Sequence, residues 1–223
     1  MVYKISEKQK IFFDVLVLAV LFMSIGFFAG FFTEVYRTGK VVENYKDNEI
    51  QALDLKLQNY YYQIMSKESC DAALTQNFIF ADKLYSEGLK IEKYEEANQI
   101  TADILLEKKR YVLLKTELWL NTILLKEKCN KELNTIVYFY SHDPPSNSVV
   151  ATQKIISNVL RDVKDQKGNS VVLLPIAADM DLEIVNLQRK IYNITELPSI
   201  LINEDVKLEG YSSEKEILSY LNK

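Results

Sequence analysis

Apolar residues are spread unevenly along this chain, and their spacing changes character three times. From Ile11 to Phe32 the sequence is almost continuously apolar, with Asp14 the one charged side chain between Lys10 and Glu34. These 22 residues make a helix of about 33 Å at 1.5 Å per residue, which matches a hydrocarbon core of roughly 30 Å. Asp14 lies near the start, within reach of the interface. The pattern predicts a membrane-spanning helix. A cleaved signal peptide led by Lys4, Lys8 and Lys10 is the alternative, but the apolar part is too long for one and no small-x-small cleavage site follows.

From about 34 to 130 the apolar positions recur every three or four residues. This stretch has no proline, and its only glycines are Gly39 and Gly88, so little interrupts helices. Ile50, Leu53, Leu57, Tyr60 and Ile64 form a short heptad seam, the signature of a coiled coil or a packed helix. A second helix carries Ala73, Leu74, Asn77, Phe78, Ala81, Leu84 and Tyr85 on one face and is expected to stop near Gly88. A third is expected from about Glu95 to Lys128, with Ile100, Ile104, Tyr111, Leu114, Leu118 and Leu125 inward. An antiparallel hairpin of these two would bring Cys70, at the start of one, toward Cys129, at the end of the other. A disulfide there would point to an oxidising compartment; two buried, unpaired thiols are the other reading.

Beyond residue 130 the period changes again. Thr135–Tyr140 is β-branched and aromatic, a buried strand. Ser148–Lys167 is an amphipathic helix closed by Gly168. Val171–Ala177 reads as a central strand covered on both faces, with Pro175 marking where its pairing stops. Asp181 is expected to cap a helix through Tyr192. Ser199–Asn203 and Val206–Glu209 are strands, Gly210 is a turn, and Ser213 to Glu216 is a capping box for a last helix. The fold class is therefore an N-terminal transmembrane helix, an all-α helical middle region and a C-terminal α/β domain of order βαβαββα. The expected divisions are a cytoplasmic tail and span at 1–33, a helical stalk or hairpin at 34–130, and the α/β domain at 131–223.

That last domain resembles the thioredoxin-like family. The resemblance rests on Val137-Tyr-Phe-Tyr-Ser141 as the strand leading to the active turn, on Leu197-Pro198 as the family's cis-proline step, and on Gly210 before the last helix. It implies a turn bearing Cys-x-x-Cys at a helix N-terminus, where the helix dipole stabilises a thiolate. Here the turn reads Pro145-Ser146-Asn147-Ser148-Val149. Ser146 and Val149 stand at the cysteine positions, and a serine hydroxyl forms no mixed disulfide. The turn is degenerate, and Ser146 or Ser148 reads as a helix cap instead. The resemblance also implies that Leu197 and Pro198 border a groove in which an extended protein segment pairs with the backbone.

Other chemistry is sparse. His142, the sole histidine, adjoins Asp143, but adjacent residues do not easily take Ser-His-Asp geometry with Ser146. Asp179 and Asp181 have no third residue at metal-ligand spacing; a strand-end turn accounts for Asp179 and capping for Asp181. A net charge of −4 supplies no basic face for nucleic acid. No cofactor is implied.

Basic residues flank the span evenly, Lys4, Lys8 and Lys10 before it and Arg37, Lys40 and Lys46 after it. The compact basic tail tilts the expectation toward a cytoplasmic N-terminus and an extracytoplasmic C-terminal region. Gly26 and Gly30, four apart in the span, offer a flat stripe for packing against a second copy. The chain is thus expected to be a single-pass membrane protein that holds an unidentified protein partner or client through a redox-inactive thioredoxin-like domain. A tethered thiol-disulfide oxidoreductase using Cys70 and Cys129 is the alternative.

Overall fold

The computed structural model describes the backbone of residues 7–96 and 102–221, and side chains at 13–33, 49–50, 52–94 and 104–221. The elements in chain order are α1 (Glu7–Ile64), α2 (Cys70–Glu96), α3 (Ala102–Cys129), β1 (Asn134–Tyr140), α4 (Asn147–Lys167), β2 (Val171–Ala177), α5 (Glu183–Ile191), β3 (Ser199–Ile202), β4 (Val206–Glu209) and α6 (Glu214–Leu221). The protein is mostly helical, with a small mixed sheet at the C-terminal end. It divides into two compact units, Met1–Asp54 and Leu55–Lys223.

The first unit contains the apolar segment Phe13–Thr33, 21 residues with mean hydropathy 2.6 and no side chain buried. By length and composition it suffices to cross a membrane. Its hydroxyls are satisfied along the helix: Ser24 donates to the Val20 carbonyl at 2.8 Å and Thr33 to the Ala29 carbonyl at 2.7 Å.

The second unit is built on a four-stranded sheet of order β2-β1-β3-β4. β1 runs parallel to β2, while β3 is antiparallel to both β1 and β4. Side chains alternate across β1 and sort the core into two layers. Ile136 and Tyr138 join Ile200 and Ile202 beneath α4 and α6, which contribute Ile156, Leu160, Val163 and Ile217. Val137 and Phe139 face the other way, with Leu174, Leu201, Trp119 and Leu118 of α3, and Val185 of α5. Helices α2 and α3 therefore share a core with the sheet. The change of period near residue 130 marks where helix gives way to strand within one compact unit.

β2 is an edge strand, not the central one its composition predicts. Its apolar run reflects cover from helices on both faces, which does not depend on position in the sheet. Pairing also continues past Pro175, which sits opposite Tyr138, as far as Ala177. A residue's N–H and C=O point to the same side of a strand, and the Pro175 carbonyl accepts from Lys115 Nζ at 2.5 Å. The missing N–H thus lies on the free edge, where a proline costs no ladder bond.

The helical region differs from its expected form in several places. The seam residues Ile50, Leu53, Leu57, Tyr60 and Ile64 are each more than half exposed within this chain. The buried positions at the end of α1 are Leu55 and Tyr62, two turns apart on another face. Tyr85 is also exposed, while Leu84 beside it is buried. α2 runs through Gly88 to Glu96, because a glycine there makes room for Tyr111: a Cβ at position 88 would overlap its hydroxyl. α3 begins at Ala102 and not at Glu95; Ile100 lies outside the described residues.

Cys70 and Cys129 are joined in a disulfide, with Cα atoms 5.7 Å apart. Tyr62, Met65, Ala73 and Leu125 bury the bond's surroundings. Lys128 Nζ donates to the Tyr62 and Gln63 carbonyls at 2.9 and 2.5 Å, satisfying orphan groups at the end of α1. Between α2 and α3, the buried Asn77 amide donates to Thr122 Oγ1 at 3.0 Å.

Candidate functional site

The register places two chain segments at one end of the sheet. Phe139 pairs with Ser199, so the turn that leaves β1 and the Leu197-Pro198 step that enters β3 emerge beside the same strand ends. The Leu197-Pro198 peptide is cis. Pro198 is buried and Leu197 half-buried. The Pro198 carbonyl accepts from Gly210 N at 3.0 Å, and Gly210 takes φ of +71°, a conformation glycine adopts freely.

The turn itself is held by a carboxylate. Asp179, two residues past β2, accepts from the Ser141 hydroxyl at 2.5 Å, from His142 N at 2.7 Å and from Asp143 N at 3.0 Å. Burial pushes this carboxyl up, but those hydrogen bonds outweigh it and hold it below the usual carboxylate range. From the other side, the Gln153 amide brackets Ser141: Ser141 N donates to Gln153 Oε1 at 2.7 Å, and Gln153 Nε2 donates back to the Ser141 carbonyl at 3.1 Å. Lys108 of α3 approaches His142 Nδ1 at 2.7 Å and lies over the Tyr140 ring. An ammonium only donates, so Nδ1 accepts in this contact.

After Pro144 and Pro145 the chain enters α4. Ser146 is its N-cap, with extended backbone, and its hydroxyl accepts from Val149 N at 3.4 Å. Asn147 and Ser148 are exposed in the first turn and Val149 is half-buried. The hydroxyl satisfies one of the helix's free N–H groups and supplies no thiolate. Both cysteines of the chain are consumed in the disulfide between α2 and α3. Gly26 and Gly30 lie in the first unit, where an added Cβ meets nothing within 4 Å.

Asp181 does not cap α5. It takes φ of +55°, and the N-cap is Leu182, with no side-chain cap bond. The residue is one position early. Among the described residues no group of three or more His, Cys, Asp or Glu side chains could hold a metal. Sequence reasoning missed Asp179, Gln153 and Lys108 as the residues that fix the turn. A polar Gln153 one turn before Ile156 on the inward face of α4 was the available signal; Lys108 carried none.

No family model matches the chain, and no curated protein matches it. Among solved structures, a malarial protein matches at 15% identity over 40% of this chain and 94% of its own, with a TM-score of 0.33. Chloroplastic thioredoxin z matches at 19% identity over 44% of this chain and 84% of its own, also with a TM-score of 0.33.

Proposed function

We propose that this chain is a single-pass, membrane-anchored protein whose C-terminal sheet and helices form a redox-inactive thioredoxin-like module that binds or positions a protein partner at the membrane surface. The observation that carries the reading is the sheet order β2-β1-β3-β4 with β3 reversed, opening into a serine-capped α4 where the family keeps a cysteine. Such a turn retains the shape of a recognition edge and lacks the sulfur for exchange. The degenerate turn Pro145–Val149 and the step Leu197-Pro198 border the groove, and an extended segment of the partner lies between them. The disulfide between Cys70 and Cys129 supports an extracytoplasmic location for residues 55–223, since such bonds persist in oxidising compartments.

Photo-crosslinking tests the groove. A crosslinker at Leu197 or Ser148 in the full chain captures a protein that one at exposed Arg161, on the far turns of α4, does not. Loss of that product in Leu197→Arg, with unchanged accumulation of the protein, fits the proposal. Identical products from all three positions would sink it. Thiol trapping separates the alternative: a substrate-linked Cys70 or Cys129 in living cells would establish an oxidoreductase and remove the noncatalytic reading.

A further inference from the structure

We propose that Asn193 is an acceptor for an N-linked oligosaccharide, which then shields the open edge of the sheet at β4. The chain has a single Asn-x-Ser/Thr sequence, Asn193-Ile194-Thr195, and its middle residue is not proline, the requirement for N-glycosylation. The fold presents it suitably. Ile194 is 3% exposed and anchors the segment in the core, whereas Asn193 and Thr195 on either side are exposed. Asn193 lies in the turn two residues past the end of α5, with φ of +52°. Among the described residues its amide has no hydrogen-bond partner. Its backbone is fixed independently: Asn193 N donates to the Lys190 carbonyl at 3.3 Å, and its own carbonyl accepts from Lys207 Nζ at 2.9 Å.

Lys207 belongs to β4, the edge strand opposite β2. Asn193 is therefore tied to one of the sheet's two edge strands, and unpaired edges invite pairing with other chains. A hydrated oligosaccharide at this point blocks that approach.

The modification is a group transfer. The Asn193 amide nitrogen attacks the anomeric carbon of an oligosaccharide carried on a polyprenyl pyrophosphate. An N–C bond forms, the C–O bond to the pyrophosphate breaks, the amide gives up a proton to the transferase, and the lipid pyrophosphate leaves. No oxidant or reductant is needed. The inference rests on the extracytoplasmic placement proposed above, so the test reads both.

The full chain is expressed in cells whose secretory route performs N-linked transfer, then treated with an amidase that releases N-linked glycans and run with and without reductant. The expected result is a band that the amidase shifts to lower mass in the wild type, no shift in Asn193→Gln or Thr195→Ala, and a retained shift in Thr195→Ser. Absence of the shift in a chain whose Cys70–Cys129 bond has formed overturns the glycan proposal and leaves the placement standing. Absence of the shift with both thiols reduced and the C-terminal unit open to cytoplasmic alkylation overturns both. Residues 193 and 195 are exposed, and the Thr195→Ala and Thr195→Ser pair leaves the left-handed backbone at Asn193 untouched, so that pair tests transfer and not folding.

Discussion

Removal of the Cys70–Cys129 bond separates the two roles a cross-link can have here, restricting the unfolded chain and filling a core. The cysteines are 59 positions apart. Closing a loop of about 60 residues removes about 4 kcal/mol of unfolded-state entropy at 25 °C in the chain-entropy account. The sulfurs also occupy core space, for Cys70 is 6% exposed among Tyr62, Met65, Ala73 and Leu125. Truncation to alanine adds roughly 1 kcal/mol for that packing. Cys70→Ala, Cys129→Ala and the double variant are each expected to lose about 4–5 kcal/mol. Their losses are not additive, because either change breaks the same bond. The assay is urea unfolding of the full chain in detergent micelles, followed through Trp119, the only tryptophan and 0% exposed. With a urea slope of roughly 2 kcal/mol/M, the midpoint falls by about 2 M. Single variants whose losses differ and sum to the double's would show that packing dominates and refute the cross-link argument. So would a double variant within about 0.5 M of the wild type.

Three further outcomes follow from named contacts. The folded Asp179 carboxyl is held below its unfolded value, so its stabilisation is complete above about pH 4 and is lost as pH falls through the lower folded value. Asp179→Asn is expected to cost roughly 1 kcal/mol at pH 7, the exposed setting keeping it at the low end, and to show less loss of urea midpoint on acidification than the wild type. Gly88→Ala places a methyl against the Tyr111 hydroxyl; overpacking of about 1–3 kcal/mol outweighs a helix-propensity gain of about 1 kcal/mol, giving a lower Tm that Tyr111→Phe partly restores. Glu204→Ala leaves the buried Trp119 indole N–H, now bonded to Glu204 Oε1 at 2.7 Å, without an acceptor. This costs about 1–3 kcal/mol and shows as a shifted Trp119 emission with a reduced urea midpoint.

Elements whose residues answer to local geometry were legible in the sequence. β1, α4 with its Gly168 stop, β4 and the apolar segment Phe13–Thr33 all carry their periodicity or turn chemistry in adjacent positions. In the helical region the limit is that spacing tells which residues lie on one face and not which face is covered. Ile50, Leu53, Leu57, Tyr60 and Ile64 have faultless heptad spacing, yet the covered face of α1 at its end is the one bearing Leu55 and Tyr62. Gly88 is a helix breaker by propensity and a packing site in fact, a distinction set by Tyr111 on another helix. At the turn, Ser146 was legible as a cap because its partner is three residues away. The Asp179 bonds were not, since they join positions 36 to 38 residues apart.

The same contacts bear on why a sheet of this kind is preceded by two long helices. One face of β1 and β3 is closed by α4 and α6, which lie within residues 147–221, but the other needs Trp119 and Leu118 of α3. Trp119 is fastened there through Glu204 in the β3–β4 turn, which also accepts from Thr135 Oγ1 at 2.5 Å. Asn203 beside it accepts from Thr135 N and from Lys126 Nζ, both at 3.1 Å. Both turn residues have φ above +50°, so the hairpin is shaped to aim these side chains at α3. The disulfide then fixes the end of α3, five residues before β1 begins, to the start of α2. The cysteine sulfurs thus tie the two helices to each other, while the turn after β1, held by Asp179 and Gln153, has no cysteine. The cysteines of this chain serve the packing of α2 against α3, at a distance in sequence from the turn that Asp179 and Gln153 hold.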